Sequence, residues 1–265
     1  MNIGCSTAFY KDDLEGALAK IAALKFQYID LICIPGWNHI QPDDLVSRFD
    51  KVAEQTERLL DRHGLRVHAF NFAVPDLHKR ADKAVNARRR EQAQGLVRLM
   101  GRLGVKAAGF YPGYYAEGRA WDDILNDTVA SLREMLEIAG EAGVVIGPEI
   151  HRFTPFETMA QARALLDAVP ELTVVYDASH FVMQAIDLKE TEFLIPRSHH
   201  VHFRGSAPDR IQCPLAESTA NFSWMLERLK AHRYAGNASI EYLPDFPGDV
   251  ENEIAELDTL LRAKN

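Results

Sequence analysis

Thr173-Val-Val-Tyr-Asp-Ala-Ser-His180 joins an apolar run to a carboxylate and an imidazole. Its valines and tyrosine favour extended backbone, and a run without polar alternation reads as a parallel strand covered on both faces. Asp177 stands at the C-terminal end of that strand, where barrel and open α/β folds place their chemistry. Each residue also has a plain structural use: Asp177 could cap the next segment, and His180 could be a core histidine. What tips the reading toward chemistry is that three other strand ends carry the same kind of residue.

Working outward, short apolar runs alternate with amphipathic segments about every 30 residues along the whole chain. Before the opening stretch, strands are predicted at residues 3–6, 28–34, 65–72, 107–111 and 144–150; after it, at 199–203 and 238–242. Helices are predicted at residues 12–24, 42–62, 79–103, 121–142, 155–168, 222–231 and 250–263, with the segment through Phe193 the weakest helical pattern. Two Asp residues open the first helix, and Gly143 stops the fourth. Strand–helix units repeated eight times, with no linker or composition shift, predict one α/β domain over residues 1–265, a (β/α)8 TIM barrel. An open doubly wound sheet is the alternative, but no Gly-rich phosphate loop follows the first strand.

Composition narrows the class. Hydrophobic residues make up 47% and charged residues 26%, as in globular enzymes rather than disordered chains. A net charge of −8 gives nucleic acid no basic surface to bind. Cys5, Cys33 and Cys213 form an odd, sparse set without metal-site spacing, which suggests reduced thiols. The chain enters its first strand without a signal-peptide pattern, and no window has the roughly 20 apolar residues that span a bilayer. A cytoplasmic enzyme that binds neither membrane nor nucleic acid is expected. A homo-oligomer stays open: barrels of this size commonly assemble as dimers or tetramers, and no surface stripe selects one.

In a (β/α)8 barrel the strand ends converge, and four consecutive ones here carry Glu149, Asp177, His202 and Glu241. Three carboxylates buried together need a proton or a cation. A divalent metal supplies the cation, and an oxygen-rich set with one imidazole suits Mn²⁺ best, with Mg²⁺ or Co²⁺ as alternatives. His200 and His202 share a face by strand alternation; one would be the ligand and the other a packed neighbour, with His202 nearer the strand end. His180 is placed to contact a substrate hydroxyl. Arg204 and Arg210, after the seventh strand, could hold a sugar hydroxyl, carboxylate or phosphate, or could be solvated loop arginines. Trp37, His39, His68 and Tyr111 could line the pocket, although core packing is the commoner role for such residues. His151 and Arg152 could support Glu149.

Pro-Glu149-Ile-His-Arg-Phe, Tyr-Asp177-Ala-Ser-His180, His200-Val-His202-Phe-Arg and Ser-Ile-Glu241-Tyr together resemble the xylose isomerase-like superfamily of sugar isomerases and epimerases. The resemblance covers essentially the whole chain. In ketose 3-epimerases and inosose-type enzymes of that superfamily, the four matching positions bind one Mn²⁺, Mg²⁺ or Co²⁺. It implies that Glu149 and Glu241 are the acid/base pair, and that Asp177 and His202 complete the metal site. It further implies that His180 and Arg210 bind substrate. Two departures stand out. Tyr111-Pro-Gly replaces the His-Pro-Gly of the related DNA-repair endonucleases, and Leu215 to Ala220 replaces a Gly-rich turn.

The mechanism implied is proton abstraction beside a carbonyl polarised by the cation. The resulting enediolate is then reprotonated, giving epimerisation or isomerisation of a sugar or cyclitol. The same intermediate could expel a β-substituent, making a lyase or dehydratase acting on a keto-sugar, keto-inositol or 3-keto-glycoside the nearest rival. A non-catalytic sugar-binding barrel is the rival from another class.

Overall fold

Residues 1–264 are described by the structure, a computed structural model of the chain. Eight strands run parallel: β1 (Ile3–Ser6), β2 (Tyr28–Cys33), β3 (Arg66–Phe72), β4 (Ala107–Phe110), β5 (Val145–Pro148), β6 (Val174–Asp177), β7 (Ser198–Phe203) and β8 (Asn237–Ile240). β1 pairs with both β2 and β8, and the ladder runs β5-β4-β3-β2-β1-β8-β7-β6. The two ends of that ladder, β5 and β6, meet through a single bridge between Glu149 and Val175. The fold is a TIM barrel, nearly closed, with one weakly laddered seam.

Helices cover the outside: α1 (Leu14–Ala23), α2 (Pro42–Ser47), α3 (Phe49–His63), α4 (Lys83–Leu103), α5 (Trp121–Glu141), α6 (Met159–Ala168), α7 (Ser179–Val182), α8 (Phe222–Ala231) and α9 (Val250–Lys264). Their starts follow local capping chemistry. Asp13 caps α1, Asp82 caps α4, and Thr158 with Gln161 forms a reciprocal capping box on α6. These caps trim the predicted starts at residues 12, 79 and 155. The predicted helix over 42–62 is two helices, because Arg48 leaves helical geometry at φ −148°. The weak segment is the short α7, which contains His180, followed by a 3-10 stretch over Leu188–Arg197 that ends at Pro196-Arg197, where proline removes a donor. Gly143, at φ 65°, ends α5 as expected. Among the described residues, no helix is long and apolar enough to cross a membrane.

The main core lies between helices and sheet, where Leu18, Ile21, Leu96, Leu99, Leu132 and Leu165 are fully buried. The barrel interior is different, because it is largely polar. His68 Nε2 and His200 Nε2 both bond the Ser239 hydroxyl, at 2.9 and 3.0 Å, and His202 Nε2 bonds Asp30 at 2.8 Å. One-residue irregularities allow this crowding. The β2–β3 register shifts at His68, and the β6–β7 register shifts at His199. His68 and Asn71, three positions apart, therefore both point inward, His68 to Ser239 on β8 and Asn71 to Glu241 just after it, which strict alternation would forbid.

The seam closes because two interior positions lack side chains. A Cβ on Gly147 would come within 1.9 Å of the Thr173 carbonyl oxygen, and one on Gly109 within 2.4 Å of Val175. β6 lies where those side chains would have been. Gly147→Ala is therefore expected to destabilise the fold by about 1–3 kcal/mol or more, the usual cost of overpacking, read as a lowered urea midpoint. An unchanged midpoint would contradict this account of the seam.

His68 generates a second expectation. Burial first, and then the neighbouring His200, hold its pKa down at about 3, against 6.5 for a free imidazole. The unfolded chain binds this proton below pH 6.5 and the folded protein does not, so His68 makes stability fall as pH drops from 6.5 toward 3. In urea titrations across that range, His68→Gln should reduce the pH slope by about one proton.

Candidate active site

Each of the four strand-end residues is carried to the same side of the barrel. Glu149 follows β5, Asp177 ends β6, His202 lies on β7 and Glu241 follows β8, and all four are buried. One ligand atom from each lies within 4.8 Å of the others. His202 Nδ1 stands between the two glutamates, 3.2 Å from Glu241 Oε2 and 3.5 Å from Glu149 Oε1. His202 is fixed in this pose because its other nitrogen bonds Asp30 on β2. His200 also faces Asp30, at 3.6 Å, so the two histidines do share a face. Of the two, only His202 faces the glutamates.

Supporting bonds orient the carboxylates. Asp177 Oδ1 accepts the Ser179 N–H at 2.8 Å and its hydroxyl at 2.6 Å, so this oxygen does cap the turn into α7. Its other oxygen takes the Arg204 guanidinium, which also donates to Glu241 Oε2 at 2.6 Å. Asn71 donates to Glu241 Oε1 at 3.1 Å. Glu149 Oε1 and His202 Nδ1, both buried, have no hydrogen-bond partner. Three carboxylate donors, one imidazole and two orphaned ligand atoms in so small a space fit a divalent cation.

The charges are uneven. Burial raises the pKa of Asp177, but Arg204, His180, His202 and the Ser179 hydroxyl outweigh it and hold the group well below the usual carboxylate range. Burial also dominates at Glu149, where His202 opposes it without cancelling it, and the group is pushed up. Glu241 is pulled down, because His202 and Arg204 together overcome its burial. Two glutamates with opposite shifts on one cavity floor resemble a donor and an acceptor.

Around this floor opens a cavity of about 510 Å³ lined by Trp37, Asn71, Tyr111, Glu149, His180 and Arg204, among others. His180 lies 3.6 Å from Glu149 and 3.7 Å from Asp177, and neither ring nitrogen makes a hydrogen bond. Trp37 is pinned by a 2.9 Å bond from its indole to the Ala8 carbonyl. His151 packs its ring 3.7 Å from that of His180, instead of bonding Glu149. Three residues stand elsewhere. Arg210 is about half exposed and pairs with Glu217 on the surface, at the end of the Ala207–Arg210 turn. His68 lies deeper in the barrel, bonded to Ser239 and stacked on Tyr28. His39 bonds Thr7 and borders a separate surface depression.

Asp30, Asn71 and Ser179 are contributors that the strand-end reading passed over. Asp30 carries a visible signal, as a lone carboxylate inside Tyr-Ile-Asp-Leu-Ile-Cys. Such a residue is rarely fully buried without a partner.

The family described as xylose isomerase-like TIM barrel matches residues 18–261. Among solved structures, D-psicose 3-epimerase with D-tagatose from Clostridium cellulolyticum H10 superposes with a TM-score of 0.76 at 15% identity, covering 100% of this chain and 99% of that one. The 3-keto-D-glucoside 4-epimerase YcjR from E. coli gives 0.73 at 16%, covering 99% of each chain. The IOLI protein with a binding zinc atom gives 0.76 at 20%, covering 100% of this chain and 99% of that one. At these identities the likeness is one of fold.

Arg204 is the nearest cation to Asp177 and Glu241, so removing it leaves buried charge uncompensated. Arg204→Met is expected to cost about 3–5 kcal/mol of stability in chelator, measured by urea unfolding. Added Mn²⁺ should recover much of this loss if the carboxylates accept a cation. A chelator-insensitive variant of unchanged stability would contradict the arrangement.

Proposed function

We propose, from the premise that the chain belongs to the xylose isomerase-like TIM barrel family, that it is a divalent-metal-dependent sugar isomerase or epimerase. Its substrate would be a ketose, keto-inositol or related sugar. The observation that carries this reading is the convergence of Glu149, Asp177, His202 and Glu241 on one point, where the two glutamates line the cavity. Similar folds that act on a psicose, or on a keto-glucoside, support the substrate class. A similar fold with a zinc atom supports a metal. We favour Mn²⁺, with Mg²⁺ or Co²⁺ as alternatives, because three of the four donors are carboxylates.

Glu149, Asp177, His202 and Glu241 would hold the ion, which when bound supplies Lewis-acid polarisation of a substrate carbonyl. The chain's own residues do the remaining work. Glu149 and Glu241 approach the cavity from strands on opposite sides of β6 and β7, so they can address opposite faces of a substrate carbon. One takes the proton next to the carbonyl and the other returns a proton, to the opposite face or to the neighbouring carbon. Asn71 holds the Glu241 carboxylate in place. Asp30 keeps the Nδ1 of His202 aimed at the two glutamates. His180, with both nitrogens unengaged, is available to substrate oxygens, and Arg204, whose Nη2 bridges Asp177 and Glu241, has its remaining N–H groups for them. The three cysteines, buried and unpaired, support a reducing, cytoplasmic setting for one domain of this kind.

Solvent-deuterium exchange into a panel of ketoses and keto-inositols, followed by NMR, tests the reading. Glu149→Gln and Glu241→Gln should each lower the exchange rate by at least ~100-fold, the lower range for a positioned acid or base. Full exchange in either variant would remove that residue from its role. Elimination products in place of epimers would move the reaction to the lyase class.

A further inference from the structure

The cavity changes character between its floor and its mouth. At the floor are Asn71, Glu149, His180, Arg204 and Glu241; the walls above are Ile34, Val74, Met183, Ile211 and Leu243. The mouth is aromatic. Tyr111 packs on Tyr114 with ring centroids 4.8 Å apart and on His151 at 4.8 Å, and His151 packs on His180 at 3.7 Å. A run of rings therefore leads from the reacting floor to the surface.

Tyr114, at the outer end of this run, is 63% exposed. Phe153, 56% exposed, also lines the cavity, with the Arg152 guanidinium 4.6 Å over its ring. Phe153 is held at φ 67°, a left-handed conformation that costs a non-glycine residue roughly 1–2 kcal/mol. Glu157 stabilises that turn by accepting the Phe153 N–H at 2.8 Å. Backbone strain that presents an exposed apolar ring at a cavity mouth is a pattern of ligand clamps.

A free ketose carries a hydroxyl on nearly every carbon, and each one buried without a partner costs about 1–3 kcal/mol. The floor has partners for such groups, whereas the lining above it is mostly apolar, with Asp76 and Arg152 the charged exceptions. Aromatic faces instead favour flat, apolar surfaces, such as an aryl ring or the C–H face of a second pyranose. The volume of about 510 Å³ also lies well inside the range of pockets for two-ring ligands. The geometry points to an outer subsite, formed by Tyr111, Tyr114 and Phe153, that takes the glycosidic substituent of a keto-sugar. This deepens the sugar isomerase or epimerase reading and rests on it: the substrate is a keto-glycoside whose sugar meets the floor and whose second ring lies on the aromatic mouth.

The test compares deuterium incorporation from D₂O into D-fructose, methyl 3-keto-glucoside, phenyl 3-keto-glucoside and 3-keto-cellobiose, using the Mn²⁺-loaded protein. At least one two-ring substrate is expected to exceed both one-ring substrates by tenfold or more in kcat/KM. Preference for the phenyl compound identifies an aryl substituent, and preference for the cellobiose derivative a second sugar. Tyr114→Ala and Phe153→Ala, both at exposed positions, should erase that advantage while leaving the rate with methyl 3-keto-glucoside within about twofold. Equal rates for one-ring and two-ring substrates, or an advantage untouched by both variants, overturn the subsite. If no sugar in the panel exchanges or binds, the sugar reading itself fails, and the subsite fails with it. Binding of phenyl β-glucoside against glucose, followed by ligand-observed NMR, gives a second readout independent of turnover.

Discussion

Glu149, Asp177 and Glu241 place three buried carboxylates around one point inside a barrel. Charges this close in a low-dielectric interior repel strongly, and the surrounding structure is arranged to answer that repulsion. Arg204 bridges two of the three, His202 stands between the glutamates, and Ser179 and Asn71 donate to the outer oxygens. Glu149 receives least, and burial leaves it inclined to hold a proton. The four donors are compatible with a cation because the fold has already met most of the cost of bringing them together.

The polar barrel interior serves the same end one layer down. Asp30 holds His202, and Ser239 gathers His68 and His200, so the ring that faces the glutamates rests on bonded groups. Such a layer tolerates little rearrangement, because each partner removed leaves a buried group unsatisfied.

The strand–helix alternation was legible because buried parallel strands leave long apolar runs and their helices leave amphipathic ones. Two helix starts were misplaced by several residues, since Asp82 and Thr158 act through hydrogen bonds that periodicity does not weigh. The break at Arg48 carries no glycine or proline to announce it. At the site, residues at strand ends could be read directly. His68 could not, because a one-residue shift beside it changes which neighbours point inward. Arg210 could not either, since its position depends on how the loop after β7 folds back toward Met183. Asp30 is legible in principle, as a single acid in an apolar strand, but it stands mid-strand rather than at a strand end.

The gap in the ladder between β5 and β6 gives the site a mechanical side. Glu149 lies on one edge of that gap and Asp177 on the other, with one bridge at Val175 and the two interior glycines alongside. Any ion bound by both residues would act as a clasp between the edges of the barrel wall. Its occupancy would be linked by mass action to how often the wall opens there. Breathing of the barrel would then be concentrated along the line that runs through the candidate site, and filling the site would quiet it.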